Sequence, residues 1–219
     1  MGEVELHSAT GELLIRSVFY FYGEDASSDL ARKIAEDISI LWNEPEAAVT
    51  IRKKSYAIRF EITGFAFPDI KPETVWYNDD PKLNFFRIEP FADGDISFVD
   101  AIGSNTGYLK TANLLQTPTT AAHEYGHTLG LVHPKITDIR GGAEACIMYP
   151  RGSLCDSPMQ YDPTAKAGAY GGFLDPKFRK VTLTDISLLR LHKLDFNESG
   201  FAQLGEFSSV YHEKQVKGD

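Results

Sequence analysis

The run from His123 to His133 constrains this 219-residue chain more than any other feature, and it reads His-Glu-Tyr-Gly-His-Thr-Leu-Gly-Leu-Val-His. On a helix, His123 and His127 lie one turn apart, so both imidazoles project from the same face. Gly130 can adopt a positive φ and turn the chain out of the helix, which returns His133 to the other two histidines. Three neutral imidazoles with a fourth position open to water are the ligand set of a catalytic zinc site.

Glu124 adjoins the first of these histidines, and its carboxylate can reach a water molecule bound to zinc. The metal lowers the pKa of that water toward ~7, and Glu124 can take its proton during attack on a peptide carbonyl. We therefore predict a zinc metalloendopeptidase, a hydrolase, with Zn²⁺ held by His123, His127 and His133 and with Glu124 as the catalytic base. By chance, these residue types would meet at these offsets in only about one in 10⁵ chains of this length, which disfavours the alternative of an ordinary buried helix.

The motif resembles the long zinc-binding motif of the metzincin endopeptidases, which it follows from His123 to His133 without a mismatch. In that family a methionine-containing turn underlies the metal site, and residues 145–150, Ala-Cys-Ile-Met-Tyr-Pro, follow the third histidine at a suitable distance. The resemblance implies that Met148 lies in this turn. The Met-Tyr-Pro order is similar to that of the matrixins, and the His133-Pro134 step is similar to that of the serralysins. Pro150 stands where serralysins and astacins carry a metal-reaching tyrosine, which excludes a tyrosine ligand there.

The resemblance implies an α+β, metzincin-like zinc peptidase fold: a twisted mixed sheet with an active-site helix, a Met-turn lower lobe and a C-terminal helix. We expect a single metallopeptidase domain over residues 1–219, with an upper lobe at about 10–131 and a lower lobe at about 132–200. An edge strand within residues 96–115 is expected to pair with extended substrate. Residues 183–191 are similar to the closing helix of the matrixin and serralysin domains, with Thr184 as its N-cap.

Hydrophobic periodicity predicts the elements around the motif. A helix is expected after the N-cap oxygens of residues 27–29, because apolar residues recur at helical spacing at Leu30, Ile34, Ile38 and Leu41, up to Trp42. Alternation and β-branched or aromatic residues predict strands at residues 13–22, 48–51, 56–65, 84–89 and 96–101, with a further edge strand at 107–115. The Thr117-Pro118 step is expected to open the helix that carries the motif.

Several weaker candidates remain. A turn is the better interpretation of Asp93 and Asp95, since a calcium loop needs more oxygen ligands at defined offsets. Residues 151–180 match no known pattern and are expected to shape the substrate pocket, where Tyr161 or Tyr170 could donate to an oxyanion, although ordinary packing is favoured. The remaining histidines have no partner at ligand spacing and are interpreted as surface or packing residues: His7, His192 and His212.

Cys146 and Cys155 are the only cysteines. Their even number fits one disulfide that closes a small loop, and it fits two free thiols equally well. Spacing alone does not give the geometry of a bridge, so both states stay open.

The charge of the chain limits its partners. Lysine and arginine total 22 against 31 for aspartate and glutamate, and the formal net charge is −9. Nucleic acid and anionic membrane surfaces would repel such a chain, and the basic stretches at residues 52–54 and 177–180 are short enough to be solvated surface. Residues 13–22 are apolar but too few to span a bilayer. The expected partner is a protein or peptide substrate, with no nucleic acid and no membrane insertion.

The first residues lack the basic and apolar regions of a signal peptide. Metallopeptidases that act outside the cytoplasm need an export route, so we expect a domain of a larger secreted protein or a leaderless route to the periplasm or extracellular space. The motif features of this chain are similar to those of bacterial metzincins that are carried as effector domains at the ends of type VI secretion spike proteins. The alternative function is a secreted toxin or effector, or a binding module, in which the metal site is mainly structural.

Overall fold

A mixed eight-stranded β-sheet frames the protein, whose computed structural model describes residues 1–142, 144–161 and 172–216. The strands are β1 (Gly2–His7), β2 (Glu12–Tyr22), β3 (Ala48–Ile51), β4 (Lys54–Ala66), β5 (Leu83–Glu89), β6 (Phe98–Val99), β7 (Thr106–Lys110) and β8 (Phe201–Leu204). Their order is β3-β4-β2-β5-β7-β6, and β1 pairs with β2 and β8. Strands β2, β4, β5 and β7 run parallel, whereas the others pair antiparallel. The predicted α+β class with a mixed sheet is confirmed, while its metzincin-like character stays a prediction.

The helices of the described residues are α1 (Ser28–Asn43), α2 (Pro72–Trp76), α3 (Thr111–Gln116), α4 (Thr119–Thr128) and α5 (Leu183–Leu188). Helix α1 forms where the periodicity predicts it, and Ser27 Oγ caps it by accepting the Leu30 N–H at 3.3 Å. Its buried face includes Ile34, Ile38 and Trp42 and packs on the sheet and on α4. The sheet therefore supports α1, and α1 in turn supports the helix that carries the histidine motif.

One large hydrophobic core joins the sheet to α1 and α4. It contains Phe19 and Phe60 from the sheet and Tyr125 from α4, and it continues to Met148 and to Ile186 in α5. A second, smaller cluster lies in the segment after the motif and consists of Ile139, Ala145, Cys155 and Leu174. The single domain and its division into two lobes near residue 131 stay predictions.

The predicted edge strand at residues 107–115 is wrong in extent and position. Strand β7 ends at Lys110, the next residues form α3, and β7 lies between β5 and β6 rather than at the edge. The edge is β6, which is shorter than the strand predicted at 96–101. Gly107 makes the close β6–β7 approach possible, because a Cβ at this position would collide with the Phe98 carbonyl oxygen and the Phe86 ring.

The C-terminal part also departs from prediction. The N-cap of α5 is Thr182 rather than Thr184: Thr182 Oγ1 accepts the Asp185 N–H at 3.3 Å, and the Asp185 carboxylate accepts the Thr182 N–H at 2.8 Å. Helix α5 ends at Leu188 instead of continuing to residue 191. Strands β1 and β8 were not predicted. Strand β8 pairs with β1 at the other end of the chain, so local periodicity gives little sign of β8, whereas β1 also pairs with its neighbour β2.

The sequence allows more than one interpretation of Asp93 and Asp95 and of the two cysteines. Asp93–Asp95 forms a 3₁₀ turn, as favoured over a calcium loop, and Lys110 Nζ lies 2.5 Å from Asp95 Oδ1. Cys146 and Cys155 are free thiols. Tyr170 lies outside the described residues. Within the described part of the chain, we find no helix of the length and apolarity needed to cross a membrane.

Candidate metal centre

Helix α4 carries the first two histidines of the motif and is fixed on the sheet by Tyr125. The Tyr125 hydroxyl lies 2.8 Å from Ser17 Oγ in β2, and its ring packs edge-on against Phe19 and Trp42. Trp42 Nε1 in α1 also donates to the Ala122 carbonyl oxygen at 3.1 Å. Because these contacts come from two elements of the large core, the position of α4 is set by the fold rather than by the motif itself.

The chain leaves α4 through Gly130, as the motif predicts. Gly130 has a φ of 96°, a left-handed conformation that costs glycine little. Its N–H donates to the His127 carbonyl oxygen at 3.0 Å, and the Leu131 N–H donates to the Gly126 carbonyl oxygen at 3.0 Å. This turn ends the helix and brings His133 back beside it.

The three predicted ligands converge on one point. The candidate ligand atoms of His123, His127 and His133 all lie within 4.8 Å of one another. His133 Nε2 is 3.1 Å from His123 Nε2 and 3.1 Å from His127 Nε2. Among the residues that the structure describes, no other group of histidine, cysteine, aspartate or glutamate side chains has this compactness.

Each helical histidine uses its second ring nitrogen on a backbone carbonyl. His123 Nδ1 donates to the Ile147 oxygen at 2.7 Å, and His127 Nδ1 donates to the Leu131 oxygen at 2.8 Å. These bonds place the proton on Nδ1 and leave the lone pair of each Nε2 directed at the common point. Burial lowers the pKa of His123 well below its usual range and also lowers the pKa of His127 and of His133, so the neutral, metal-binding form of each ring is favoured.

A zinc ion fits this donor set. Tetrahedral bonds of ~2.1 Å would place the ligand nitrogens about 3.4 Å apart, close to the two Nε2–Nε2 separations of 3.1 Å. Without a cation, the Nε2 lone pairs of His123 and His127 would both face His133 Nε2, which carries at most one proton to share between them. The geometry therefore fits a metal ion bound by imidazoles, and because several transition metals suit such ligands, the choice of zinc belongs to the proposal below.

Among the described residues, two buried charged groups lie beside the histidines: Glu124 and Arg179, with exposed fractions of 8% and 6%. Burial raises the pKa of Glu124 to about 8, and the positive charge of Arg179 opposes this shift. Burial lowers the pKa of Arg179 to about 10, and the charge of Glu124 opposes that shift. A cation on the histidines would add positive charge beside Glu124 and favour its ionised form.

The segment that holds Met148 lies against the underside of α4. Met148 is 1% exposed, and its thioether occupies the space where a Cβ of Gly126 would project. Asp185 of α5 lies close to this segment: burial raises the pKa of its carboxyl, and the neighbouring Cys146 thiol and Ile147 N–H oppose this shift. Since the Ile147 carbonyl also accepts from His123, the segment connects α5 to the first histidine. Met148 therefore lies below the site as the resemblance implies, while its family role stays a prediction.

We expect Gly126→Ala to destabilise the protein. The added methyl would overlap the Met148 sulfur, and overpacking of a core costs about 1–3 kcal/mol. The better helix propensity of alanine offsets up to about 1 kcal/mol of this. We expect a net loss of about 1–2 kcal/mol in the free energy of unfolding, measured by urea denaturation. Gly172→Ala is the matched control, because a Cβ there meets no atom within 4 Å; equal stability losses in both variants would contradict the packing described.

A cleft of about 520 Å³ opens in front of the histidines. Its lining includes Phe98 and Val99 of β6, Asn113 of α3, Glu124 of α4, and Pro150, Arg151, Tyr161, Pro176 and Arg179 from the segment that follows the motif. Four residues of the segment 151–180 line this cleft, namely Arg151, Tyr161, Pro176 and Arg179, and the role of the cleft as a substrate pocket stays a prediction. Glu124 is the only carboxylate among the described lining residues.

Sequence reasoning missed Arg179. It assigned residues 177–180 to solvated surface, whereas Arg179 is buried and lines the cleft. Lys177 and Lys180 do lie at the surface, where they approach Asp175 and Glu144. Nothing in this short basic stretch separates Arg179 from its neighbours except residue type, since arginine is the usual choice for buried cationic contacts.

The remaining histidines do not join the metal centre. His212 lies 2.9 Å from Asp100 and packs edge-on against the rings of Phe98 and Tyr108. His7 Nε2 lies 3.1 Å from a Glu5 carboxylate oxygen. Both agree with the expected packing or surface roles.

Comparisons with known proteins give only distant likenesses. No family model matches this sequence, and no curated protein matches it. A solved structure described as a chaperone–substrate complex overlaps 81% of this chain with a TM-score of 0.43 and 18% identity, and the chain spans about a third (34%) of that protein.

A second solved structure, a zinc-dependent peptidase from Methanocorpusculum labreanum, overlaps 63% of this chain and 90% of its own with a TM-score of 0.31 and 12% identity. It is a weak structural neighbour. Both TM-scores lie below 0.5, so neither likeness bears on the function, and the proposal that follows rests on the site itself.

Proposed function

We propose that this protein is a zinc-dependent endopeptidase that hydrolyses a protein or peptide substrate. The observation that supports it is the convergence of three neutral imidazoles next to a buried carboxylate at the floor of an open cleft. His123, His127 and His133 are the proposed ligands, and Glu124 is the proposed catalytic base. Three protein ligands leave a coordination position for water or substrate, which distinguishes catalytic from structural zinc sites.

A bound Zn²⁺ would supply Lewis acidity, polarising the substrate carbonyl and making a water molecule more acidic. The residues of the chain have two tasks around it. The carbonyl oxygens of Ile147 and Leu131 hold two imidazoles neutral and oriented. Glu124 accepts a proton on its carboxylate during attack and returns it to the leaving amine.

The edge strand β6 forms one wall of the cleft through Phe98 and Val99. Because β6 pairs only with β7 among the described strands, its other edge can bind an extended peptide by adding a strand. We propose that the scissile bond is held in this way across the histidines. From sequence, an edge strand within residues 96–115 is expected to pair with extended substrate, and we assign this role to β6.

A binding module with a mainly structural metal site is the alternative. Glu124 favours the enzyme, because no described residue donates a hydrogen bond to its carboxylate and the residue lines the cleft. A structural site has no use for a buried carboxylate that lacks a hydrogen-bond donor among the described residues, and keeping one beside the ligands costs stability. A role in proton transfer accounts for its position.

A cleavage experiment tests the proposal. Zinc-loaded protein is incubated with a diverse mixture of denatured proteins, and new peptide termini are identified by mass spectrometry. We expect internal cleavages that disappear after chelation and return when zinc is added back. Metal-loaded protein that produces no new termini under any of these conditions would count against peptidase activity.

A further inference from the structure

Arg179 carries a buried charge that has no carboxylate partner among the described residues. Its exposed fraction is 6%, and its guanidinium forms no ion pair in the described part of the chain, although the charge of Glu124 acts on it through space. The nearby carboxylate of Asp175 is engaged by Lys177 at 2.8 Å. A buried cation that no carboxylate contacts directly is costly, and arginine does not lose its proton to avoid that cost.

The hydrogen bonds that Arg179 makes to described residues leave two of its donors without an acceptor among those residues. Nη1 donates to the Tyr149 carbonyl oxygen at 3.1 Å, Nη2 donates to Thr119 Oγ1 at 3.4 Å, and Nε donates to the Pro176 carbonyl oxygen at 3.4 Å. A guanidinium has five N–H groups, so one remains on each terminal nitrogen. Two parallel N–H groups of this kind bind both oxygens of a carboxylate.

Among its described lining residues, the cleft around Arg179 has two arginines and one carboxylate, although the protein as a whole is acidic. Arg151 also lines the cleft, where its Nη2 lies 3.4 Å from Asn113 Oδ1, and Glu124 is the only carboxylate among the described lining residues. The whole chain carries a net charge of −9. A divalent cation on the histidines would make the cleft more positive still, and a concave cationic site attracts anionic ligands.

We propose that Arg179, assisted by Arg151, binds a carboxylate group of the substrate, so that the cleft takes acidic peptides. The inference rests on the proposed peptidase function and names its substrate class. The carboxylate is either an aspartate or glutamate side chain near the scissile bond or the free C-terminus of a short peptide. Both sources present the same two oxygens to the guanidinium.

The test uses fluorescent peptides of one sequence in which a single glutamate is moved through each position, with glutamine in the matching control. Each peptide is made with a free and with an amidated C-terminus. Binding to zinc-loaded protein is measured by fluorescence anisotropy, and hydrolysis of the same peptides is followed by mass spectrometry. We expect the best acidic peptide to bind about 30-fold more tightly than its uncharged counterpart, and Arg179→Gln to abolish this preference.

Two further variants keep the test decisive. Arg179→Lys retains the charge but not the two-pronged geometry, and we expect it to reduce the preference about 5–10-fold. If Arg179→Gln does not fold, as judged by its melting and its zinc content, Arg179→Lys alone tests the inference. Arg140→Gln is the matched control, because Arg140 is exposed, pairs with Asp138 at 2.5 Å and does not line the cleft.

The outcomes separate this inference from the proposed function. Acid-dependent binding that needs Arg179 but gives no hydrolysis supports the carboxylate site and counts against the peptidase. Hydrolysis without an acidic preference supports the peptidase and counts against the carboxylate site. A wild-type protein without preference, or a preference that survives both Arg179 variants, overturns the inference. Dependence on the internal glutamate or on the free C-terminus identifies the source of the carboxylate.

Discussion

Replacing Glu124 with glutamine is expected to lower kcat/KM for peptide hydrolysis by about 10³-fold, within the usual range for loss of a general acid–base group. Glutamine has the shape of glutamate but cannot accept and return a proton. The variant should keep the fold and the metal. Its melting temperature should stay equal or rise, because glutamine removes a buried carboxylate that has no hydrogen-bond partner among the described residues.

The measurement compares steady-state hydrolysis of one identified substrate by the wild type and by Glu124→Gln at equal zinc content. Glu36→Gln is the matched control, since Glu36 is an exposed carboxylate on α1, and it should hydrolyse the substrate at the wild-type rate. Full activity in the metal-loaded Glu124→Gln variant would remove Glu124 from the mechanism. Loss of both zinc and fold would instead assign the residue a structural role.

Removal of the metal is expected to lower the melting temperature by about 8–16 °C. A ligand present at a thousand times its Kd stabilises the native state by about 4.1 kcal/mol, and 1 kcal/mol corresponds to about 2–4 °C for a chain of this size. The effect should be large here because His133 lies after the helix, so a bound cation would tie this exposed residue to two buried ones on α4.

Differential scanning calorimetry of zinc-loaded and chelated protein measures this shift. Zinc added back should restore the melting temperature, and magnesium should not, because it prefers oxygen ligands. A His123→Ala variant should melt at the same temperature with and without chelator. An equal response to chelator in that variant would place the stabilising cation elsewhere in the molecule.

The metal centre could be predicted from sequence because its geometry is local. His123 and His127 are related by one helical turn, and Gly130 needs only a positive φ to return His133, so neither step depends on distant residues. Helix α1 was predictable for the same reason, since its N-cap and apolar face are periodic features of one segment.

Features that depend on distant pairing could not be predicted. Strand β8 exists because it pairs with β1 at the other end of the chain, and β7 became an inner strand because Gly107 admits β6 beside it. Arg179 reaches the cleft through hydrogen bonds to Tyr149 and Thr119, which are far from it in sequence. A basic tetrapeptide carries no local sign of such contacts.

The metal content of the purified protein tests the central assignment most directly. Elemental analysis is run after zinc loading and gel filtration on the wild type, on His123→Ala and on His192→Ala, whose exposed histidine lies outside the site. We expect about one zinc per chain in the wild type and in His192→Ala, and close to none in His123→Ala. No zinc in the loaded wild type, or the same zinc content in all three proteins, would contradict a metal centre at His123, His127 and His133.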